Sequence, residues 1–284
     1  MIEICDVQKR FNSHVAVDGL SFEVRKGETF GLLGPNGAGK TTTLHMIAGV
    51  LRPDGGTIHL DGSADPTLPE VRRRLGIAPQ ANALYENLSG EENVAFIARM
   101  YGLRSSGLST AVDRALALVG LTDRRTDRAA GYSGGMKRRL NLACALVHDP
   151  PVLLLDEPTA GVDPQSRNHL LDSIAELARQ GRTVLYTTHY MEEAQKLCHR
   201  VGIVDHGKLL ALDTVENLVA NHGGRSVVEV EVDGETERRR FDSEDPLNDL
   251  TALAAKGAKV RSFRVDRPDL ETVFLNLTGR RLRD

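Results

Sequence analysis

Hydrophobic and polar positions alternate from the first residues of the chain. Ile2, Ile4 and Val7 open a short apolar pattern, and Leu20, Phe22 and Val24 alternate with polar neighbours until Arg25-Lys26-Gly27 turns the chain. Thr29 to Leu33 is a compact apolar strand running into glycines, and a helical stretch is expected from Lys40 to Ala48. Pro53-Asp54-Gly55-Gly56 reads as a turn before a strand over Thr57 to Leu60, which Asp61-Gly62 closes. Ser89 with Glu92 has capping-box spacing and opens a helix that ends near Tyr101-Gly102. Val152 to Leu155 is an uninterrupted aliphatic run, too short for a helix and suited to a strand buried on both faces. Asp163-Pro164 supplies an N-cap and an N1 proline for a helix whose buried stripe is Leu170, Leu171, Ile174, Leu177 and Ala178. Gly181 stops it, and Val184 to Thr187 is the next strand. Strands interleaved with helices in this way predict an α/β domain with a mainly parallel sheet.

The texture changes around Asn221-His222-Gly223-Gly224. Val228, Val230 and Val232 alternate with Glu229 and Glu231, and Asp233-Gly234 offers a hairpin turn into a charged strand over Glu235 to Phe241. A helix around Leu247, Leu250 and Leu253, a strand near Phe263 and a last helix with Leu270, Val273, Phe274 and Leu277 complete a small α+β domain, with Gly279 at a cap position. The expected domains are therefore residues 1–220 and 221–284. The second is short for an independent core and carries no catalytic pattern. Its expected role is to stabilise a dimer or regulate its opening.

Composition narrows the class. The 284 residues carry 36 basic and 39 acidic side chains, a net charge of −3 that gives no support for a general nucleic-acid or anionic-membrane binder. No apolar run reaches the roughly 18–20 residues of a membrane-spanning helix. The start lacks a secretory n-region and h-region, so a cytoplasmic location is expected. Cys5, Cys144 and Cys198 fit neither a disulfide framework nor a zinc site.

Chemistry enters with Gly34-Pro35-Asn36-Gly37-Ala38-Gly39-Lys40-Thr41, a phosphate-loop pattern between a strand and a helix. Its glycines let backbone N–H groups converge on phosphate oxygens ahead of a helix N-terminus. Lys40 would reach the terminal phosphates and the Thr41 hydroxyl would hold Mg²⁺. Gly34, Asn36, Gly37, Gly39, Lys40, Thr41 and Thr42 are the expected phosphate-binding set. The strand Leu153-Leu154-Leu155 delivers Asp156 to the Mg²⁺ shell, with Glu157 beside it to polarise an attacking water. Taken alone, the two carboxylates would serve as well to cap a helix.

At Tyr132-Ser133-Gly134-Gly135-Met136, just ahead of a helix over Lys137 to Val147, the chain resembles the ATP-binding-cassette (ABC) ATPase family. Gln80, after Gly76-Ile77-Ala78-Pro79, is similar to the Q-loop glutamine. Ala160-Gly161-Val162-Asp163 resembles the D-loop, and His189 the switch histidine. The motifs stand in family order over most of residues 30–190. Phe11 stands where the family commonly has the tyrosine that stacks on adenine, although a ring there could also be core. Tyr132 and Met136 depart from the usual Leu and Gln of the signature. The Ser and Gly donors remain, while a side-chain hydrogen bond from the fifth position is lost. The Tyr-Ser-Gly-Gly-Met wording, Tyr186 to Ala194 and Leu270 to Gly279 are similar to the ATPase subunits of drug-resistance and nodulation-factor exporters.

The resemblance implies a phosphate-loop NTPase cassette with a helical signature subdomain, ATP and Mg²⁺ as ligands, and hydrolysis coupled to export through a separate transmembrane permease. It implies a homodimer in which Ser133, Gly134 and Gly135 of one subunit face the phosphate loop of the other. Glu157 would be the general base and His189 would fix the γ-phosphate and the water. Thr41, Gln80 and Asp156 would serve Mg²⁺, and Asp163 would belong to the D-loop. The implied location is cytoplasmic, peripheral on the inner face of the cell membrane, with no nucleic acid expected. The alternative is a non-transport ATPase of the same fold acting on nucleic acid or the ribosome. Against it, the stretch from Lys40 to Ser133 has no room for a long coiled-coil insertion, and only one phosphate loop is present. Leu84, Tyr85, Leu88, Phe96, Ile97 and Tyr101 exceed what a connecting segment needs, and divide between core and a cleft for the permease. Arg72-Arg73-Arg74, on a helix with Leu68, Val71 and Leu75, reads as a solvated face. Arg238-Arg239-Arg240 reads as cross-strand pairing with the Glu-rich strand.

Overall fold

The apolar alternation at the start of the chain becomes a hairpin. β1 (Ile2–Phe11) turns at Asn12-Ser13 into β2 (His14–Val24), with Phe11 opposite His14 and Asn12 in the left-handed region that its short polar side chain tolerates. After β3 (Thr29–Leu33) and α1 (Lys40–Ile47), β4 (Gly55–Leu60) returns to pair antiparallel with β1. The sheet order is β2-β1-β4. Periodicity marks these strands but does not say which partner they take, so the sequence does not separate this sheet from the parallel one. The structure, a computed structural model, describes residues 1–62, 65–234 and 237–279. It contains two compact units, Met1–Asp213 and a second beginning at Thr214.

The first unit continues through α2 (Pro69–Arg72), β5 (Leu75–Ala78), α3 (Gly90–Met100), α4 (Ser105–Leu118), α5 (Gly134–Leu146) and β6 (Val152–Asp156). It is completed by α6 (Pro164–Arg179), β7 (Thr183–Thr188), α7 (Met191–Leu197), β8 (Arg200–Asp205) and β9 (Lys208–Thr214). A six-stranded sheet has the order β5-β6-β7-β3-β8-β9, parallel from β5 through β8. Every residue of β3, β6 and β7 is buried, as expected for strands covered on both faces. Leu33 lies opposite Thr188, Asp156 opposite Thr187 and Ala78 opposite Leu155, so the strands end together along one edge. The loops that leave those ends are therefore brought together.

The Arg72-Arg73-Arg74 run is shorter as helix than its spacing suggests. α2 is a single turn, Leu68 is half exposed, and Leu75 already belongs to β5. Arg74 pairs with Asp61. In the helical part, Ser89 Oγ accepts the Glu92 N–H at 3.2 Å and Glu92 Oε2 accepts the Ser89 N–H at 2.8 Å, closing the expected capping box. Tyr132 explains its departure from the usual leucine: its buried phenol donates to the Arg124 carbonyl at 2.7 Å, a bond no aliphatic side chain makes. Among the described residues no helix is long and apolar enough to cross a membrane, and the three cysteines are free.

The second unit contains α8 (Val215–His222), β10 (Ser226–Val232), β11 (Arg239–Ser243), α9 (Pro246–Ala255), β12 (Val260–Asp266) and α10 (Leu270–Thr278). Its antiparallel sheet has the order β11-β10-β12, with Val228, Val230, Val232 and Leu250 as its core. The charged strand expected over Glu235 to Phe241 begins later, at Arg239; positions 235 and 236 lie outside the described residues. Arg240 lies opposite Glu229 with 3.9 Å between charged atoms, in line with cross-strand pairing. Phe263, in the strand expected near it, is 56% exposed on the edge strand β12, and Leu247 is exposed too. Gly279 ends α10 in the left-handed conformation.

A half-buried titratable side chain lies beside the edge strand β5. His148 donates Nε2–H to the Leu75 carbonyl at 3.1 Å, its ring stacks on Tyr101, and its Nδ1 is buried without a partner. Burial pushes its pKa down from 6.5 to about 4. Between those values the unfolded chain binds more protons than the folded one, so this residue makes stability fall as pH drops from 6.5 towards 4. Urea midpoints at about pH 7.5, 6 and 5 should decline less steeply in His148→Gln. Equal slopes in both proteins would refute this role.

Candidate functional site

The segment after β3 folds tightly because two neighbours leave no room for side chains. A Cβ on Gly34 would lie 2.2 Å from the Val204 carbonyl oxygen, and one on Gly39 would lie 2.4 Å from that of Ala16. Gly39 also takes φ 98° as the N-cap of α1, a conformation that favours glycine. The result is a cavity of about 370 Å³ at the N-terminus of α1. Asn36, Gly37, Gly39, Lys40, Thr41 and Thr42 line it, and Gln80 and Glu157 reach it from the ends of neighbouring strands. Phe11 lines it as well and is 45% exposed, which removes the reading of this ring as core. Gly34 lies beneath, its carbonyl accepting the Lys40 ammonium at 2.7 Å.

Charge is concentrated under this cavity. Lys40 Nζ also donates to the Pro35 carbonyl at 3.1 Å and sits 2.9 Å from Glu157 Oε1, both side chains being buried. Glu157 Oε2 is 3.1 Å from His189 Nδ1 and 3.5 Å from Gln80 Nε2. Its backbone adopts φ 43°, a costly value for a residue with a side chain. The Glu157 N–H is held there by the Thr187 carbonyl at 3.2 Å and the Thr187 hydroxyl at 3.0 Å. That hydroxyl in turn donates to Asp156 Oδ1 at 2.7 Å, and the Thr41 hydroxyl donates to the same oxygen at 3.1 Å. Asp156 Oδ2 is buried without a partner. An orphaned carboxylate oxygen on the same group that the Thr41 hydroxyl bonds offers oxygen ligands that suit Mg²⁺.

Other expected residues stand elsewhere. Ser133 caps α5, its Oγ accepting the Met136 N–H at 3.2 Å, and Ser133 and Gly134 are exposed. Gly135 is close-packed, a Cβ there falling 2.2 Å from Ser166 Oγ. Asp163 caps α6 by accepting the Ser166 N–H at 3.0 Å, which lowers its pKa from the ordinary value. None of these four lines the cavity. Sequence reasoning missed His14 and Ala16, which line it, and Thr187, one of three threonines in a fully buried strand and not set apart from the others along the chain. It also missed Arg138. The guanidinium of that residue donates to the Gln80 carbonyl and, at 3.2 Å, to the Ala160 carbonyl, while burial lowers its pKa.

A family model described as ABC transporter matches residues 17–160. The whole chain is 40% identical to the whole of the linearmycin resistance ATP-binding protein LnrL of Bacillus subtilis (strain 168). It is 39% identical to the Nod factor export ATP-binding protein I of Burkholderia thailandensis, over all of this chain and 98% of that protein. Among solved structures, the dimeric MJ0796, a bacterial ABC transporter cassette, matches with a TM-score of 0.69 at 25% identity, over 75% of this chain and 98% of that one. Likeness that runs the length of the chain, with a family match spanning the Gly34–Thr41 loop and the Asp156-Glu157 strand end, makes this protein a member of the ABC transporter family, an ATP-binding cassette ATPase akin to the drug-resistance and nodulation-factor type.

Proposed function

We propose that the chain is the ATP-hydrolysing subunit of an exporter, driving a separate membrane permease from its cytoplasmic face. The observation that carries the hydrolytic part is Glu157, whose carboxylate lies at the phosphate cradle between Lys40 and His189. Full-length likeness to two ATP-binding proteins, one of linearmycin resistance and one of Nod factor export, supports the export part.

In this reading the N–H groups of the loop and α1 bind the ATP phosphates, and Phe11 stacks on adenine. The phosphates draw Lys40 away from Glu157, leaving Glu157 free to take a proton from the attacking water. That water bonds to the γ-phosphorus as the bond to the ADP oxygen breaks. His189 holds the carboxylate in orientation. Thr41, Asp156 and Gln80 would hold Mg²⁺, which would supply neutralisation of charge on the phosphate oxygens. Ser133, Gly134 and Gly135 stand away from this cradle and would close the cradle of a second copy, completing two sites in a homodimer.

Attachment to the membrane then depends on a partner surface. Leu84 packs on the core, but Tyr85 is 53% exposed, stacks edge-on against exposed Phe96 at 4.9 Å, and has exposed Met100 on the same helix as Phe96. This apolar patch suits a cytoplasmic segment of the permease.

Glu157→Gln should keep ATP affinity and lower turnover by at least about 10²-fold, while accumulating an ATP-bound dimer. A wild-type rate would remove Glu157 as the base. Lys40→Ala should abolish ATP binding, read by equilibrium titration with a fluorescent nucleotide. Undiminished affinity would show that Lys40 does not hold the phosphates.

Tyr85→Glu and Phe96→Glu should abolish transport or co-fractionation with membranes while the soluble subunit still binds ATP. Unchanged recruitment and transport in both variants would rule this surface out.

A further inference from the structure

Glu193, in the first turn of α7, is a carboxylate only 2% exposed. A buried charge of this kind is costly unless its lone pairs are all answered. Four donors answer them here. Oε1 accepts from the Thr159 hydroxyl at 2.7 Å and from Arg167 Nε at 2.6 Å. Oε2 accepts from the Tyr186 phenol at 2.7 Å and from the Thr188 hydroxyl at 2.9 Å. The donors come from three places: the loop after β6, helix α6 and the end of β7. None of them lines the nucleotide cavity.

Their positions along the chain give this network a purpose beyond satisfying a charge. Thr159 lies between Glu157 and Asp163, and Thr188 immediately precedes His189. The Thr188 hydroxyl, donating to Glu193, also accepts the Tyr190 N–H at 2.9 Å, which sets the backbone turn around His189. The Arg167 guanidinium, bonded to the same carboxylate, lies 4.0 Å from the centre of the Tyr190 ring, and that ring is 4.0 Å from the His189 ring. One carboxylate therefore grips the residues on both sides of the 3.1 Å contact between His189 and Glu157.

We propose that Glu193 is the positioning residue for hydrolysis, tying the Thr159–Asp163 loop to the His189 turn so that the two move as one body. The proposal rests on the assignment of Glu157 and His189 to the hydrolytic step. A misplacement of about 1 Å at such a pair costs up to about 10²-fold in rate. Glu193 acts on kcat through the position of His189 and leaves nucleotide binding alone.

The test is a double-mutant cycle on the full-length protein, with kcat, KM, equilibrium ATP affinity and melting temperature measured for every variant. Glu193→Gln should lower kcat about 10- to 10²-fold with ATP affinity unchanged. Placed on Glu157→Gln or on His189→Ala, it should add almost nothing, because its effect passes through that pair. Thr188→Val removes a single donor and keeps the carboxylate bonded; it should reproduce part of the kcat loss without weakening ATP binding. It carries the test if Glu193→Gln does not fold. Wild-type kcat in Glu193→Gln and Thr188→Val, beside slow Glu157→Gln and His189→Ala, would overturn the proposal alone. Losses that multiply in the double variants would also overturn it, as they would mark a merely structural role. Wild-type rates in Glu157→Gln and His189→Ala would instead overturn the hydrolytic assignment, and the proposal with it.

Discussion

The parallel pairing of β3, β6 and β7 is the constraint on which the rest of the molecule depends. Asp156 opposite Thr187 and Leu33 opposite Thr188 bring three strand ends level, and the chemical groups all lie within a few residues of those ends. A slip of one residue would turn every side chain of a strand to the other face. Thr187 makes the register consequential. Its hydroxyl donates to Asp156 and accepts from the Glu157 N–H, so one neighbouring strand sets both carboxylates.

The same pairing permits an otherwise unfavourable concentration of charge. Lys40, Asp156 and Glu157 are all buried, and an unanswered buried ion costs several kcal/mol. The Lys40–Glu157 pair, two loop carbonyls and two threonine hydroxyls offset most of that cost. The left-handed backbone at Glu157 adds on the order of 1–3 kcal/mol, sustained by its two N–H partners on Thr187. The oxygen left unanswered, Asp156 Oδ2, lies beside the cradle where a cation would sit. Stability is thus withheld where ligand binding can supply it.

The parts of this site that were legible in the sequence are those built from one stretch of backbone. Gly34 to Thr41 carries its whole geometry in its own spacing, because Gly39 must take a positive φ and Gly34 must admit β8. Asp156 and Glu157 end a buried strand, and became legible only beside the phosphate-loop pattern upstream, since alone they would serve as well to cap a helix. Gln80 and His189 carry no signal of their own and were readable only through the family resemblance, from their place relative to the other motifs. Thr187, Arg138 and Glu193 were not readable at all: each has a partner 22 to 58 residues away, and each looks like an ordinary polar residue along the chain. Phe11 left two readings open that only its exposure at the cavity could separate. In the second unit the pattern located the strand around Phe263 but not its place at the sheet edge, which leaves that ring exposed.

In the proposed reading, level strand ends assemble a single nucleotide and metal site from separate segments. A crystal structure of Glu157→Gln with ATP and Mn²⁺ tests it directly, since anomalous scattering locates the metal without assumption. The phosphates should lie against the N–H groups of residues 37–42, with the Mn²⁺ peak on the Thr41 hydroxyl at about 2.2 Å and Asp156 next to it. A metal peak remote from Thr41 and Asp156, or phosphates outside the cradle, would show that the strand ends do not build this site.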